Sequence, residues 1–491
     1  MCNARMQGHE SATSIREHGC SSSMQGHGCF PSVRVRKLHD VGGDHTASTR
    51  GHGSAASVAD NSRPLGVYRI RGRQRLRSFS GSWAVGVFLF FSWICVSHAR
   101  VWIPEKSEDS LQKIAAQVSD GDVIEIPSGR WFGPIHLKRR VTMRGRGGVI
   151  DGRGKGKVLI VEAPNTILEG LIVQGSGSDL GGPDSCIYLA KTAVRSIVRK
   201  NTMRDCAFGL WLHETDDVQI LDNHVHGREQ VKEADRGNGI HLFDGSRLLI
   251  RGNRVLHARD GIYVSAVEDS VIMENHLSHQ RYGVHYMYSY RNRLIRNKSH
   301  HNLTGLALMQ SHHLHVEEND VQHNERHGIL FRDAQYCTIR KNILHHNGEG
   351  MFFFSSNDNT IEDNSIQRNR IGARIWAGTI RNRVRNNAFV HNDQQIFFVG
   401  SSDLDWGTKG DNGNYWSDYI GWDQDKDGIG DRPYRLDSFS SRLLYQYPPS
   451  VMLMRSPSLE LLTHLEQRLP VLRVPTVIDH RPLMSWRPKK R

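Results

Sequence analysis

An all-β fold, a right-handed parallel β-helix, is predicted by three observations between Ile197 and about Phe398: a fixed period, two marker residues that share it, and strand chemistry between the markers. An aliphatic residue, two others and then Asn recur at Asn201, Asn223, Asn253, Asn275, Asn297, Asn319, Asn342, Asn364 and Asn387, almost always 22 or 23 residues apart. Gly keeps step at Gly209, Gly239, Gly261, Gly283, Gly305, Gly328, Gly350 and Gly372. One repeat is longer, through an insertion near His226 to Arg236. Periods of this size mean stacked supersecondary units rather than one globular core.

A leucine-rich repeat shares the period, but no repeat here carries a helical pattern. Ile262-Tyr263-Val264 alternates in and out, and Val271-Ile272-Met273 does so again, so each coil holds at least two short strands bounded by polar turns. Asn tolerates left-handed backbone at one corner and can hydrogen-bond up its column. Gly is expected to supply the second corner. Earlier strand-turn units around Val141–Met143, Val149–Ile150, Val158–Val161 and Ile167–Val173 bring the count to about a dozen coils over residues 100–400. Ile114–Val118 reads as a short amphipathic helix closing the open end.

Ahead of the coils, residues 1–75 are rich in Gly, Ser, His and Arg, lack apolar periodicity and read as a disordered extension. Residues 76–99 read as a signal peptide. Arg69, Arg71, Arg73, Arg75 and Arg77 precede an apolar run from Trp83 to Val96, which ends in Ser97-His98-Ala99, so cleavage is expected after Ala99. The run is too short to span a bilayer, and without an adjacent Arg pair the general secretory route is expected. A leader this far into the chain points to a true start near Leu65, Val67 or Leu76.

The formal charge of +13 is concentrated there: 12 basic against 5 acidic residues lie in 1–99, leaving 52 against 46 beyond. With no basic stripe interleaved with aromatics, nucleic acid is not an expected partner. Beyond Ala99 stand Cys186, Cys206 and Cys337. The first two are about one coil apart and read either as a disulfide or as two buried thiols. Cys337 is too distant to complete a metal site.

Stacking turns equivalent positions into columns. The second and fourth residues after each Gly point outward and read Trp211, His213, His241, Phe243, Tyr263, His285, Met287, Met309, Leu330, Phe352, Phe354 and Trp376. Such a wall suits a protein-docking face, centred on Trp211, His213, His241, Tyr263, His285, Met287 and Met309. Within it, His285, Met287 and Met309 are candidate copper ligands of soft character. A covering loop or tail would equally account for the wall. Four residues after Asn, a second column reads His257, His279, His301, His323, His346 and His391, with His300 and His345 beside it. It could chelate metal, or serve only as a stacked corner, because Asn302, Asn324, Asn347, Asn369 and Asn392 mark the same edge as a turn.

Residues 401–446 form a cap containing Asp423-Gln424-Asp425-Lys426-Asp427-Gly428-Ile429-Gly430-Asp431. Acids at the first, third, fifth and ninth places with Gly at the sixth are calcium-loop chemistry, with Asp423, Asp425, Asp427, the Ile429 carbonyl and Asp431 as structural ligands. Tyr434 replaces the bidentate Glu of a regulatory loop. The Pro-rich tail, 447–491, carries an amphipathic helix from Ser458 to Leu469, expected to pack on its own domain or to dock a membrane partner.

The coils together with Gly413-Asn414-Tyr415-Trp416-Ser417-Asp418-Tyr419, Gly421-Trp422-Asp423, Asp427-Gly428-Ile429-Gly430-Asp431, Pro433-Tyr434, Ser456-Pro457 and Pro482-Leu483 resemble the NosD family over roughly residues 100–488. The resemblance implies a non-catalytic periplasmic accessory protein that helps mature the copper-sulfide site of nitrous oxide reductase. Its implied partners are that reductase, the ATPase and permease of an ABC-type transporter, and a copper chaperone, with the membrane reached only through the permease. The competing class is a polysaccharide lyase, hydrolase or epimerase on the same fold. That chemistry needs paired acids, and the adjacent acidic pair Asp216-Asp217 has no partner acid at the matching position of a neighbouring coil.

Overall fold

Each repeat folds into one coil of three short strands, as in Val271–Met273, His276–Ser278 and Tyr282–Met287. The computed structural model describes residues 99–486, apart from 106, 377, 400–403, 408–411, 438–446, 448–451, 454–455 and 470–474. The expected extension and signal peptide up to residue 98 lie outside the described residues. Successive coils pair in parallel and in register on every face: Ile272 with Leu294, Leu277 with Ser299, His285 with Ala307. The result is a right-handed parallel β-solenoid of about 14 turns, whose third face is a sheet of 12 strands.

Three-residue strands suffice because only their middle side chain must enter the core. Ile250, Ile272, Leu277 and Val316 do so and are essentially inaccessible to solvent. Each such burial contributes roughly 1.5–3 kcal/mol, so stability accumulates coil by coil.

The Asn column lies inside the corner between the first two faces. The backbone N–H of Asn275 donates to Oδ1 of Asn297 at 3.0 Å, its Nδ2 donates to the same oxygen at 2.9 Å, and Nδ2 also reaches the Ile250 carbonyl at 3.0 Å. The pattern repeats from Asn201 to Asn414. The expectation that Asn itself takes left-handed backbone is corrected: the preceding residue does, as at Glu274 (φ 58°) and Arg296 (φ 52°). Asn is retained for its amide, which satisfies backbone groups that a buried turn would otherwise orphan.

The expectation for Gly is corrected too. Gly283 and Gly305 do not have positive φ, and the second corner is made instead by His279 (φ 61°) and His301 (φ 54°). At Gly283 a Cβ would stand 2.1 Å from Ser299 Oγ and 2.6 Å from the Gly305 carbonyl. Close approach between coils, not a turn, requires the glycine.

At the N-terminal end a helix, Ser110–Gln117, buries Leu111 and Ile114 against the first coils. Cys186 and Cys206 form a disulfide, and Cys337 is a buried thiol. At the other end Asn414, Tyr415 and Trp416, placed by the sequence in the cap, continue the solenoid. Tyr415–Trp416 pairs with Ala388–Val390, and Asn414 accepts from Asn387 as the last rung. Asp479 then plugs the stack. Its carboxylate accepts from the Asn414 N–H at 2.6 Å and from Trp416 Nε1 at 2.9 Å. Burial pushes its pKa up against those bonds. Trp416 is sandwiched between Phe389 and Tyr434. The tail helix spans Pro457–Arg468 and is capped by Ser456, but Leu461, Leu465 and Leu469 are exposed. Leu459 and Leu462, on its leucine face, are half-buried.

Candidate docking face and histidine edge

On the outer side of the third face the register aligns one column as Tyr188, Trp211, His241, Tyr263, His285, Ala307, Leu330 and Phe352. A second column runs His213, Phe243, Ser265, Met287 and Met309. All seven predicted docking residues therefore share one face. The rings touch along it: Trp211 stacks on His241 with centroids 3.6 Å apart, followed by His241–Tyr263 at 4.7 Å and Tyr263–His285 at 5.0 Å. His213 lies between Tyr188 and Phe243.

The wall is only partly open to solvent. His241 and His285 are 8 % exposed and Met309 is 9 % exposed, while Trp211, Tyr263 and Met287 are half-buried. Large side chains at coil spacing shield one another, and Phe208 and Tyr282 close over their edges. Met287 packs in one apolar cluster with Ala307, Met309 and Leu330, the methionines from the second column and Ala307 and Leu330 from the His285 column.

Burial, aided by the nearby Arg259 charge, lowers the His241 pKa to about 3. Asn238 Nδ2 lies 3.0 Å from its Nδ1, which suits a neutral ring. The unfolded chain takes up a proton near pH 6.5 and the folded chain does not. This histidine's share of stability is thus complete above pH 6.5 and is lost as pH falls toward 3. One unit below 6.5 the loss is about 1.4 kcal/mol. His241→Gln should make the drop in melting temperature between about pH 7.5 and pH 5.5 measurably shallower, and scanning calorimetry at the two pH values reads the difference.

Beside the wall stands a group that the sequence reading missed. Asp260, its side chain wholly buried, accepts from Arg281 Nη2 at 2.6 Å and Nε at 2.9 Å, and from His285 Nδ1 at 3.0 Å. Burial alone would raise its pKa, but the bonds from His285 and Arg281 outweigh it and hold the pKa at about 2. His285 Nε2 is buried without a hydrogen-bond partner. A carboxylate on one ring nitrogen and a free lone pair on the other is the arrangement of a pre-oriented ligand or acceptor. Four coils on, Glu349 repeats the theme with His327 at 3.1 Å and Arg374 at 2.7 Å. The signal was an acid immediately before the repeat glycine, Asp260-Gly261 and Glu349-Gly350.

The histidine column forms the edge between the second and third faces. His257, His279, His301, His323, His346 and His391 all take positive φ, so the corner role is real. Their rings nevertheless line up, with centroids 5.0 Å apart for His257–His279, 5.6 Å for His279–His301, 5.4 Å for His301–His323 and 4.9 Å for His323–His346. Burial lowers the pKa of His257 and of His346.

In the cap, the carboxylates of Asp423, Asp425 and Asp427 converge within 4.8 Å. Asp431 accepts from the Gln424 N–H at 2.7 Å and is not among the three converging carboxylates. Ile429 donates its N–H to Asp427 at 2.7 Å, and Gly428 takes φ 86°.

The chain is a capped parallel β-helix that carries a shielded aromatic and histidine face. Residues 221–421 match the family described as periplasmic copper-binding protein (NosD), and residues 146–265 match a right-handed β-helix region. A protein of Pseudomonas aeruginosa, named probable ABC transporter binding protein NosD, is 38 % identical over 382 residues, covering 74 % of this chain and 89 % of that one. Its namesake from Stutzerimonas stutzeri is 35 % identical over 376 residues, 73 % of this chain and 86 % of its own. The chain belongs to the NosD family. Among solved structures it is similar to the A-module of the Azotobacter vinelandii mannuronan C-5 epimerase AlgE4, at 15 % identity, 63 % of this chain, 90 % of that chain and a TM-score of 0.40. That likeness bears on neither site nor activity. No helix among the described residues is long and apolar enough to cross a membrane.

Proposed function

We propose that this chain is a non-catalytic periplasmic accessory protein that supports assembly of the copper-sulfide site of nitrous oxide reductase, working with the ATPase and permease of an ABC-type transporter and a copper chaperone. The observation that carries this reading is the family membership over three quarters of the chain, with relatives named as transporter binding proteins. The third face is the client-docking surface. Copper is cargo rather than a resident cofactor, and the free Nε2 of His285, beside the thioethers of Met287 and Met309, suits a soft ion in passing. The exposed leucines of the tail helix suit the membrane partner.

Polysaccharide cleavage is disfavoured by geometry. Paired acids must stand within about 10 Å, and Asp260 and Glu349 are four coils apart, roughly 19 Å at ~4.8 Å per coil. Asp216 and Asp217 are committed to Arg247. A tagged chain expressed in denitrifying cells should co-purify the reductase and the permease; recovery of neither, from cells actively assembling the reductase, overturns the reading.

Calcium at Asp423, Asp425 and Asp427 is a structural proposal for the cap. Its expected affinity is that of extracellular modules, about 10⁻⁴–10⁻³ M. Asp425→Asn with Asp427→Asn should abolish the calcium-dependent rise in melting temperature; unchanged melting of the wild type in chelator would remove the site.

A further inference from the structure

The one long repeat builds a feature that the docking face does not use. After the second-face strand His224–His226 the chain loops out through the short 3-10 turn Glu233–Asp235 and rejoins the third face at Ile240–Ser246. Arg236 ties this loop to the histidine edge. Its Nε donates to the Val231 carbonyl at 2.7 Å, Nη2 to the Glu229 carbonyl at 2.7 Å, and Nη1 to the His257 carbonyl at 3.3 Å. One guanidinium therefore holds Glu229 and His257 together, with all its bonds directed at carbonyls. The Glu229 carboxylate comes to 3.8 Å from His257 Nε2.

His226 completes the group, its ring centroid 5.1 Å from that of His257. Its Nδ1 lies 3.0 Å from the Gly227 carbonyl, which places the proton there and leaves the Nε2 lone pair free. Ligand atoms of His226, Glu229 and His257 lie within 4.8 Å of one another. They head an open groove of about 830 Å³ that runs on past His279, His301 and His323.

We propose that His226, Glu229 and His257 bind a divalent transition-metal ion, Cu(II) foremost, at the head of a histidine track. Two imidazoles and one carboxylate leave a coordination position open, as in exchangeable rather than closed sites. The set has no thiolate or thioether, so it favours Cu(II) over Cu(I), and among borderline divalent ions copper binds such ligands most tightly. His279 stands next, 5.0 Å from His257 between ring centroids, and offers the first step along the edge. Backbone shape explains why a left-handed corner is needed; it does not explain why imidazole recurs there or why an insertion brings a carboxylate and a further imidazole to its head. The site lies outside the docking face and stands whether or not the chain serves the reductase.

Titrating the purified chain with Cu(II), and separately with Zn(II), by calorimetry and copper paramagnetic resonance tests the proposal. One tight copper site with two nitrogen ligands is expected, with zinc binding more weakly. Glu229→Gln and His226→Ala should each weaken it by about 10-fold or more, and His257→Asn, which keeps a residue tolerant of the corner, should remove it. Circular dichroism should be unchanged in all three. Tight copper binding that survives His226→Ala with His257→Asn overturns the assignment, as does a site lost in His279→Asn but intact in Glu229→Gln, or zinc binding more tightly than copper.

Discussion

Asn297→Ala is expected to lower the unfolding free energy by about 3 kcal/mol or more, although the residue touches no ligand and no solvent. Its Oδ1 accepts from both the backbone and side-chain nitrogens of Asn275, and its Nδ2 donates to the Ile272 carbonyl and to Asn319 Oδ1. Truncation strips two buried backbone groups, Asn275 N–H and Ile272 C=O, of a partner, at roughly 1–3 kcal/mol each. Mid-stack position aggravates the loss, because coils on either side are stabilised through this one. Arg293→Ala, at an exposed position of the same coil, should stay within about 0.5 kcal/mol of wild type. Denaturant unfolding of the two variants makes the comparison, and equal midpoints would show that the column is dispensable.

Trp211→Ala combined with Tyr263→Ala is expected to abolish capture of the reductase while the solenoid stays folded. Both side chains are half-buried on the outer face, flank His241 and lie outside the core. Aromatic anchors in a shielded patch each cost ~2 kcal/mol or more on truncation, so the pair should weaken binding by about a thousand-fold. Far-ultraviolet circular dichroism should be unchanged, whereas Ile262→Ala, which empties a core position, should lower the melting temperature. Full nitrous oxide reduction in cells carrying the outer-face double variant would remove docking from this face and leave the exposed leucines of the tail helix as the surface to test.

Legibility followed periodicity. The coils, the aligned outer columns and the amphipathic helices at both ends could be read from residue spacing alone, because each repeats or alternates within a short window. The Asp260–Arg281–His285 group could not. Its members are 21 and 25 residues apart and meet only because one coil stacks on the next. The same holds for Glu229 and His257, joined by a loop whose path no repeat dictates, and for Asp479, which returns from 65 residues downstream to satisfy Asn414.

The amino-acid sequence by itself determined the solenoid, its period, and which side chains face in and which face out, since a 22-residue repeat with period-2 strands has one way to bury its aliphatic residues. Only the tertiary structure decided how that pattern is realised at its corners and edges. It put Asn inside the turn and His at the left-handed position, since the buried backbone needs an amide while the corner itself is open. It made Gly a matter of clearance between coils, because contact distance between stacked backbones is a property of two repeats and is written in neither. It drew His241 and His285 out of solvent, because shielding by neighbours one rung away depends on a separation of about 4.8 Å that exists only once the coils are stacked.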